Sequence, residues 1–106
     1  MKRGEVWWVK VDPSLGGETQ KSRAAVIVSN DAANQFLNRV QVVPLTASVG
    51  KLYPSEAYVT FRRKQSKAMV DQLTTVSKKR LSNRAGSLST SDLERVNQAI
   101  ATQLDL

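Results

Sequence analysis

Six short runs of apolar and β-branched residues precede one stretch with helical spacing. Residues 5–11, Glu-Val-Trp-Trp-Val-Lys-Val, predict a strand, because aromatic and β-branched side chains suit a pleated, half-buried surface. Strand alternation puts Glu5, Trp7, Val9 and Val11 on one face and Val6, Trp8 and Lys10 on the other. Each face therefore carries a large apolar side chain. That suits two tryptophans packed inside a small barrel, or one in the core and the other under a loop or at a subunit interface. Residues 24–29 form a continuous apolar run, the pattern of a central strand. Asn30-Asp31 then supplies an N-cap for a short helical turn over 32–37. Residues 39–45, 56–61, 66–72 and 74–79 read as further strands, and 81–86 as irregular chain.

The end of the chain changes period. Leu93, Val96, Ile100 and Leu104 recur at helical intervals and make one apolar stripe. Ser89 or Ser91 caps this helix, and Ser91-x-x-Glu94 has capping-box spacing. Short strands followed by a terminal helix predict a mainly β domain, a small barrel or two-sheet body closed by that helix, in one unit over 1–106. Two connections stand out. Residues 12–22 form a polar loop longer than the two to five residues or so usual in a hairpin, and 46–55 form a second loop with Gly50, Lys51 and Tyr53-Pro54.

With 106 residues the chain has room for a single core. Its composition excludes several chemistries. Cysteine is absent, which removes disulfide scaffolds and thiolate zinc sites and fits a reducing cytoplasm. Histidine is absent too, which removes imidazole bases, Ser-His pairs and the commonest metal ligand. Any catalysis must come from Arg, Lys, Thr, Ser, Tyr or carboxylates. The scattered carboxylates suggest no metal site, and no phosphate-binding glycine loop is present. Nothing at the start resembles a signal peptide, and no run approaches the ~20 apolar residues that span a bilayer. A cytoplasmic protein with no membrane partner is expected.

The net charge is +7, which points to an acidic partner such as nucleic acid. The excess lies in residues 62–84, where eight Lys and Arg face Asp71 alone. Tyr53, Tyr58 and Phe61 lie close to this segment, the mixture of charge and stacking surface that suits single-stranded nucleic acid. A solvated basic surface is the plain alternative.

Read together, the motifs say more. Gly4-Glu5-Val6-Trp7-Trp8-Val9 is followed by Asp12-Pro13, Gly17-Glu18 and the run from Lys21 through Arg23 to Asn30. Val42-Val43-Pro44-Leu45-Thr46, Tyr53-Pro54-Ser55-Glu56, Val70-Asp71-Gln72, Gly86 and the helix from Leu88 onward follow in order. In this order the chain resembles the MazF/PemK family of bacterial toxin endoribonucleases over nearly its whole length. The resemblance implies a small SH3-like, CcdB-type β-barrel with a C-terminal helix. It implies sequence-specific, metal-independent and cofactor-free cleavage of single-stranded RNA, by attack of the ribose 2′-hydroxyl on the adjacent phosphorus. It also implies a homodimer silenced by a cognate antitoxin.

Carried onto this sequence, Arg23 holds the scissile phosphate, Thr46 donates a hydroxyl to it, and Glu18 is a weaker candidate for the base or for orienting Arg23. Candidate RNA contacts are Lys21, Asn30, Lys51, Tyr53 and Gln72, with Lys78, Lys79 and Arg80 from the basic segment. Where the family usually has proline after the arginine, this chain has Ala24, which frees φ and leaves the backbone beside Arg23 looser. Two other functions stay open: a CcdB-like inhibitor of DNA gyrase, disfavoured by the non-aromatic ending Gln103-Leu104-Asp105-Leu106, and an RNA-binding barrel without chemistry.

Overall fold

A computed structural model describes residues 1–10 and 21–106. Among them, in order, are β1 (Glu5–Lys10), β2 (Ser22–Ile27), α1 (Asp31–Phe36), β3 (Arg39–Thr46), β4 (Glu56–Phe61), β5 (Lys64–Met69), β6 (Thr74–Ser77), β7 (Leu81–Ser87) and α2 (Thr90–Leu104). The strands pair antiparallel in one curled sheet ordered β4-β5-β3-β2-β1-β7, with β6 joined to β3. This is the mainly β fold with a C-terminal helix that the sequence predicts. β3 is the strand around which the sheet curls. One edge pairs with β2 while the other is shared, Arg39–Val42 taking β6 and Leu45–Thr46 taking β5. Pro44 falls in the gap between these two partners, where a strand proline is tolerated.

The central strands are buried on both faces, as their unbroken apolar sequence requires. Val6, Val26, Val43, Leu45, Val59 and Val70 pack beneath α2, meeting Val96 and Ala99. Val9, Ala25, Ile27, Val40, Val42, Val76 and Leu81 form a second cluster on the opposite side. Each fully buried Val or Ile contributes about 1.5–3 kcal/mol of transfer free energy. Trp8 packs against the first cluster and Trp7 against the second, and both remain half-buried. Both rings thus pack against the core, one on each side of the sheet, the first of the two arrangements that alternation allows.

α2 is fixed by polar contacts as well as by its stripe. Ser89 is the cap, accepting from the Asp92 N–H at 3.1 Å. Asp92 is buried, accepts from the Thr60 N–H at 2.8 Å, and pairs with Arg95, so the helix is bolted to β4. Leu104, expected in the stripe, is 55% exposed, and Ala99, outside the expected stripe, is buried. Gly4 sits beneath this helix at φ +92°, and a Cβ there would lie 3.1 Å from Leu93 Cδ2. The positive φ favours glycine, and a side chain there would press on Leu93.

Three segments differ from the sequence expectation. Val70–Gln72 and Lys78–Arg80 are 3-10 turns that end their strands early. Residues 81–87 are not irregular but form β7 on the free edge of β1. Ser82, Asn83, Arg84 and Gly86 give it little intrinsic strand preference, so the exposed edge of β1 supplies the order that local sequence does not.

Candidate active site

Arg23 and Thr46 are separated by 22 residues in sequence, yet they line one cavity of about 230 Å³. Strand pairing explains the meeting. Arg23 is the second residue of β2 and Thr46 the last of β3, and these strands are neighbours. The other walls come from Trp8, Ser22, Ala24, Leu45, Ala47, Phe61 and Ser66. Arg23 is exposed, so its guanidinium meets solvent at the rim. Thr46 Oγ1 accepts from the Ser48 N–H at 3.2 Å. That bond uses a lone pair and leaves the hydroxyl proton to donate into the cavity. Ala24 is paired with Trp8 across the β1–β2 ladder and buried at 8% exposure. The ladder thus restrains the backbone beside Arg23, as proline would do through its ring.

The cavity floor is aromatic. Trp8 and Phe61 meet edge to face, their centroids 6.0 Å apart at 68°. Above them, the turn joining β4 to β5 consists of Arg62 and Arg63 alone, with φ of 51° and 65°. Two-residue hairpin turns of this hand normally use Asn-Gly or Asp-Gly, and each branched-out side chain in left-handed geometry costs roughly 1–2 kcal/mol. The Arg62 guanidinium carbon lies 5.3 Å from the Trp8 ring centre and 5.6 Å from that of Phe61. Charge counting places basic residues here but does not find this cation–π contact, because the usual Asn or Gly signal is absent from the turn.

A second depression of about 290 Å³ is lined by Tyr53, Pro54, Ser55, Glu56 and Asp71. Behind it lies a clip that the sequence does not announce. Lys67 is 8% exposed, and its Nζ donates to Glu56 Oε1 and to the Lys51 carbonyl, each at 3.0 Å. Glu56 Oε1 also accepts from the Tyr53 N–H at 2.9 Å. The clip ties the β3–β4 loop to β5 at the residue paired with Thr46, and it holds Lys51 5.4 Å from the Tyr53 ring.

The remaining sequence candidates fall into distinct places. Lys21 is exposed just before β2. Asn30 caps α1 through Oδ1, accepting from the Ala33 N–H at 2.8 Å. Gln72 is exposed and its Nε2 donates to Met69 Sδ. Lys78 Nζ donates to the Asn34 carbonyl, and Arg80 Nε donates to the Lys10 carbonyl at 2.9 Å. These two cations therefore anchor backbone as well as carry charge, whereas the Lys79 side chain is exposed. Glu18 lies outside the described residues.

Two carboxylates carry a pH prediction. The Tyr53 N–H holds the Glu56 carboxyl below its ordinary 4.5, with burial opposing and Lys67 assisting. Burial pushes Glu5 up, but the Lys2 N–H, the Trp7 indole N–H, Arg84 and the N-terminus outweigh it and leave its pKa lowered. Each folded value lies below the unfolded one. Their stabilisation is thus complete above about 4.5 and is lost as the pH falls through the folded values. The thermal midpoint should decline below that pH, and Glu56→Gln should make the decline shallower. An unchanged acid slope in that variant would assign the clip no linkage role.

A curled antiparallel sheet with a terminal helix, bringing an arginine, a threonine hydroxyl and two aromatic rings to one cavity, defines a small β protein of the toxin-barrel type. Comparison with known proteins makes the class specific. Residues 2–104 match the model of the PemK-like, MazF-like toxins of type II toxin–antitoxin systems, and the chain belongs to that family. It is 36% identical to the endoribonuclease MazF9 of Mycobacterium tuberculosis, covering 100% of this chain and 98% of that protein. It is 26% identical to the endoribonuclease EndoA of Bacillus subtilis, covering 100% and 96%. A solved mycobacterial endoribonuclease in complex with its cognate antitoxin superposes with a TM-score of 0.83 at 26% identity, covering 100% of this chain and 96% of that one.

Proposed function

We propose that this chain is an endoribonuclease toxin that cuts single-stranded RNA by transesterification at the Arg23–Thr46 cavity. The observation that carries the reading is the convergence of these two side chains on one cavity with an aromatic floor. In the reaction the ribose 2′-oxygen loses its proton to a base and bonds to the adjacent phosphorus. The bond from phosphorus to the 5′-oxygen breaks, and that oxygen takes up a proton. The products are a 2′,3′-cyclic phosphate and a 5′-hydroxyl. Arg23 offers planar paired donors to the phosphate oxygens, whose charge grows in the transition state. Thr46 adds a neutral donor. Glu18 is the candidate for the base or for orienting Arg23.

Metal independence is part of the proposal and is supported by a donor set without histidine or cysteine. A cognate antitoxin is the proposed protein partner, supported by the net charge of +7 and by the antitoxin-bound mycobacterial relative. A homodimer is proposed as well, supported by exposed Phe36, Leu37 and Leu52. Among the described residues, no helix is long and apolar enough to cross a membrane. A cytoplasmic site of action is proposed on the family's chemistry, since its substrate is messenger RNA.

A denaturing gel of a defined RNA incubated with the protein and EDTA tests the reading. Discrete cleavage products are expected. Retention of intact RNA would instead indicate a binding barrel, and inhibition of gyrase without cleavage the CcdB-like alternative.

The basic segment carries its own expectation. Lys79 is proposed to contact phosphate, so Lys79→Gln should lower the salt slope of RNA binding by about 0.7, the value for one contact on a single strand. Cleavage-site preference should not change. Lys78→Gln should lower the thermal midpoint as well, because it releases the Asn34 carbonyl. A slope unaltered by Lys79→Gln would place that residue away from RNA.

A further inference from the structure

We propose that Arg62 is a base clamp: its guanidinium, in cation–π contact with Trp8 and Phe61, is the surface on which a nucleobase beside the bound phosphate stacks. The inference rests on the RNA-cleavage reading, and its test is separable from that reading.

Three observations carry it. Trp8 and Phe61 line the same cavity as Arg23 and Thr46, so anything stacked over them lies beside the phosphate those residues would hold. The distances of 5.3 and 5.6 Å from the guanidinium carbon to the two ring centres leave no room for a base between arginine and rings. A base must therefore meet the guanidinium from its solvent side, where Arg62 is exposed. The turn that presents it holds both Arg62 and Arg63 at positive φ, a geometry that glycine or asparagine adopts far more readily. Arginine is present there at a conformational cost, and what it supplies is a planar cation over an aromatic floor.

The chemistry fits a base. A guanidinium is flat, delocalised and weakly hydrated, so both of its faces stack. Proteins recognise unpaired RNA bases by stacking on aromatic rings or on arginine planes. Here the rings beneath hold the arginine in place before RNA arrives, so little side-chain freedom is lost on binding. The stack is sequence-tolerant, because every base has a π face. Arg62 is thus assigned a positioning role: it fixes the nucleotide next to the reacting phosphate without touching the reacting atoms.

The test uses RNA that cannot be cut, a random-sequence pool of 2′-O-methyl decamers, and an abasic backbone of equal length. Affinities are read by fluorescence anisotropy for the parent, Arg62→Asn and Arg62→Lys. Asparagine suits the left-handed turn, and circular dichroism melts check that both variants fold as the parent does. The parent should prefer the base-bearing pool over the abasic backbone by tenfold or more, within the range of one stacked base. Both variants should shrink that preference about tenfold. Arg62→Lys keeps the charge, so it should keep the parent's salt slope while failing to restore the preference. An equal preference in parent and variants, or full rescue by lysine, would overturn the clamp. A parent with no preference for bases would overturn it too. If the preference behaves as expected but the parent cuts no natural RNA, the clamp stands and the nuclease reading falls.

Discussion

Replacing ribose by deoxyribose at the cleaved nucleotide alone should abolish cutting at that bond while leaving binding nearly intact. The two effects separate by magnitude. In the proposed reaction the 2′-oxygen is the nucleophile, and without it there is no bond to form at phosphorus. As a ligand group the same hydroxyl contributes about one hydrogen bond, roughly 0.5–1.5 kcal/mol net. Its loss should therefore weaken binding by no more than about tenfold. The cut site is first mapped on an all-ribose oligonucleotide by product length, and the substituted strand is then compared in EDTA by initial rate and by affinity. Mass spectrometry of the ribose products should show a cyclic phosphate. Continued cutting at the substituted position would refute transesterification, and cutting that stops in EDTA would refute metal independence.

How far such a site can be read before folding differs from residue to residue. The central strands are legible because their burial is two-sided. The run Ala24–Ser29 offers no polar face, and only a strand inside a sheet can hide it all. Asn30 as a helix cap is legible for a local reason, since its side chain bonds a backbone N–H three residues on. Arg23 and Thr46 are legible only through the whole ordered set of motifs. Neither residue alone differs from an ordinary surface arginine or turn threonine, and what joins them is the β2–β3 pairing. β7 is illegible locally because its order comes from the edge of β1, more than seventy residues away in the chain.

The pairing of buried Lys67 with Glu56 could not be foreseen, since nothing in Gln65-Ser66-Lys67-Ala68 marks one lysine as interior. The Arg62–Trp8 cation–π contact is hidden for a related reason. It depends on a turn type whose usual residues are missing. Charge counting finds the basic segment but does not sort its members. Folding assigns Lys78 and Arg80 to backbone anchoring and leaves Lys79 facing solvent.

Arg23→Ala should slow RNA cleavage by about 10²–10³-fold, the usual cost of removing a preorganised donor to transition-state charge. The effect should not come from unfolding. Arg23 is exposed on β2, with the Cα register to Val9 set by backbone pairing, and exposed substitutions of this kind usually move stability by less than about 0.5 kcal/mol. Arg23→Lys separates charge from geometry. It should keep most of the affinity and the salt slope but recover little of the rate, because an ammonium cannot span two phosphate oxygens as a guanidinium does. Thr46→Ala should cost less, about tenfold, since a neutral donor is weaker than a charged one and its place in an open cavity can be taken by water. If both side chains hold the same phosphate, the double variant should lose less than the product of the two single losses, the signature of groups that act as a unit. Single-turnover rates with saturating protein would read all four variants free of binding and product release. An Arg23→Ala protein as fast as the parent would move the active site elsewhere, and strictly multiplicative losses would place the two side chains on different groups of the substrate.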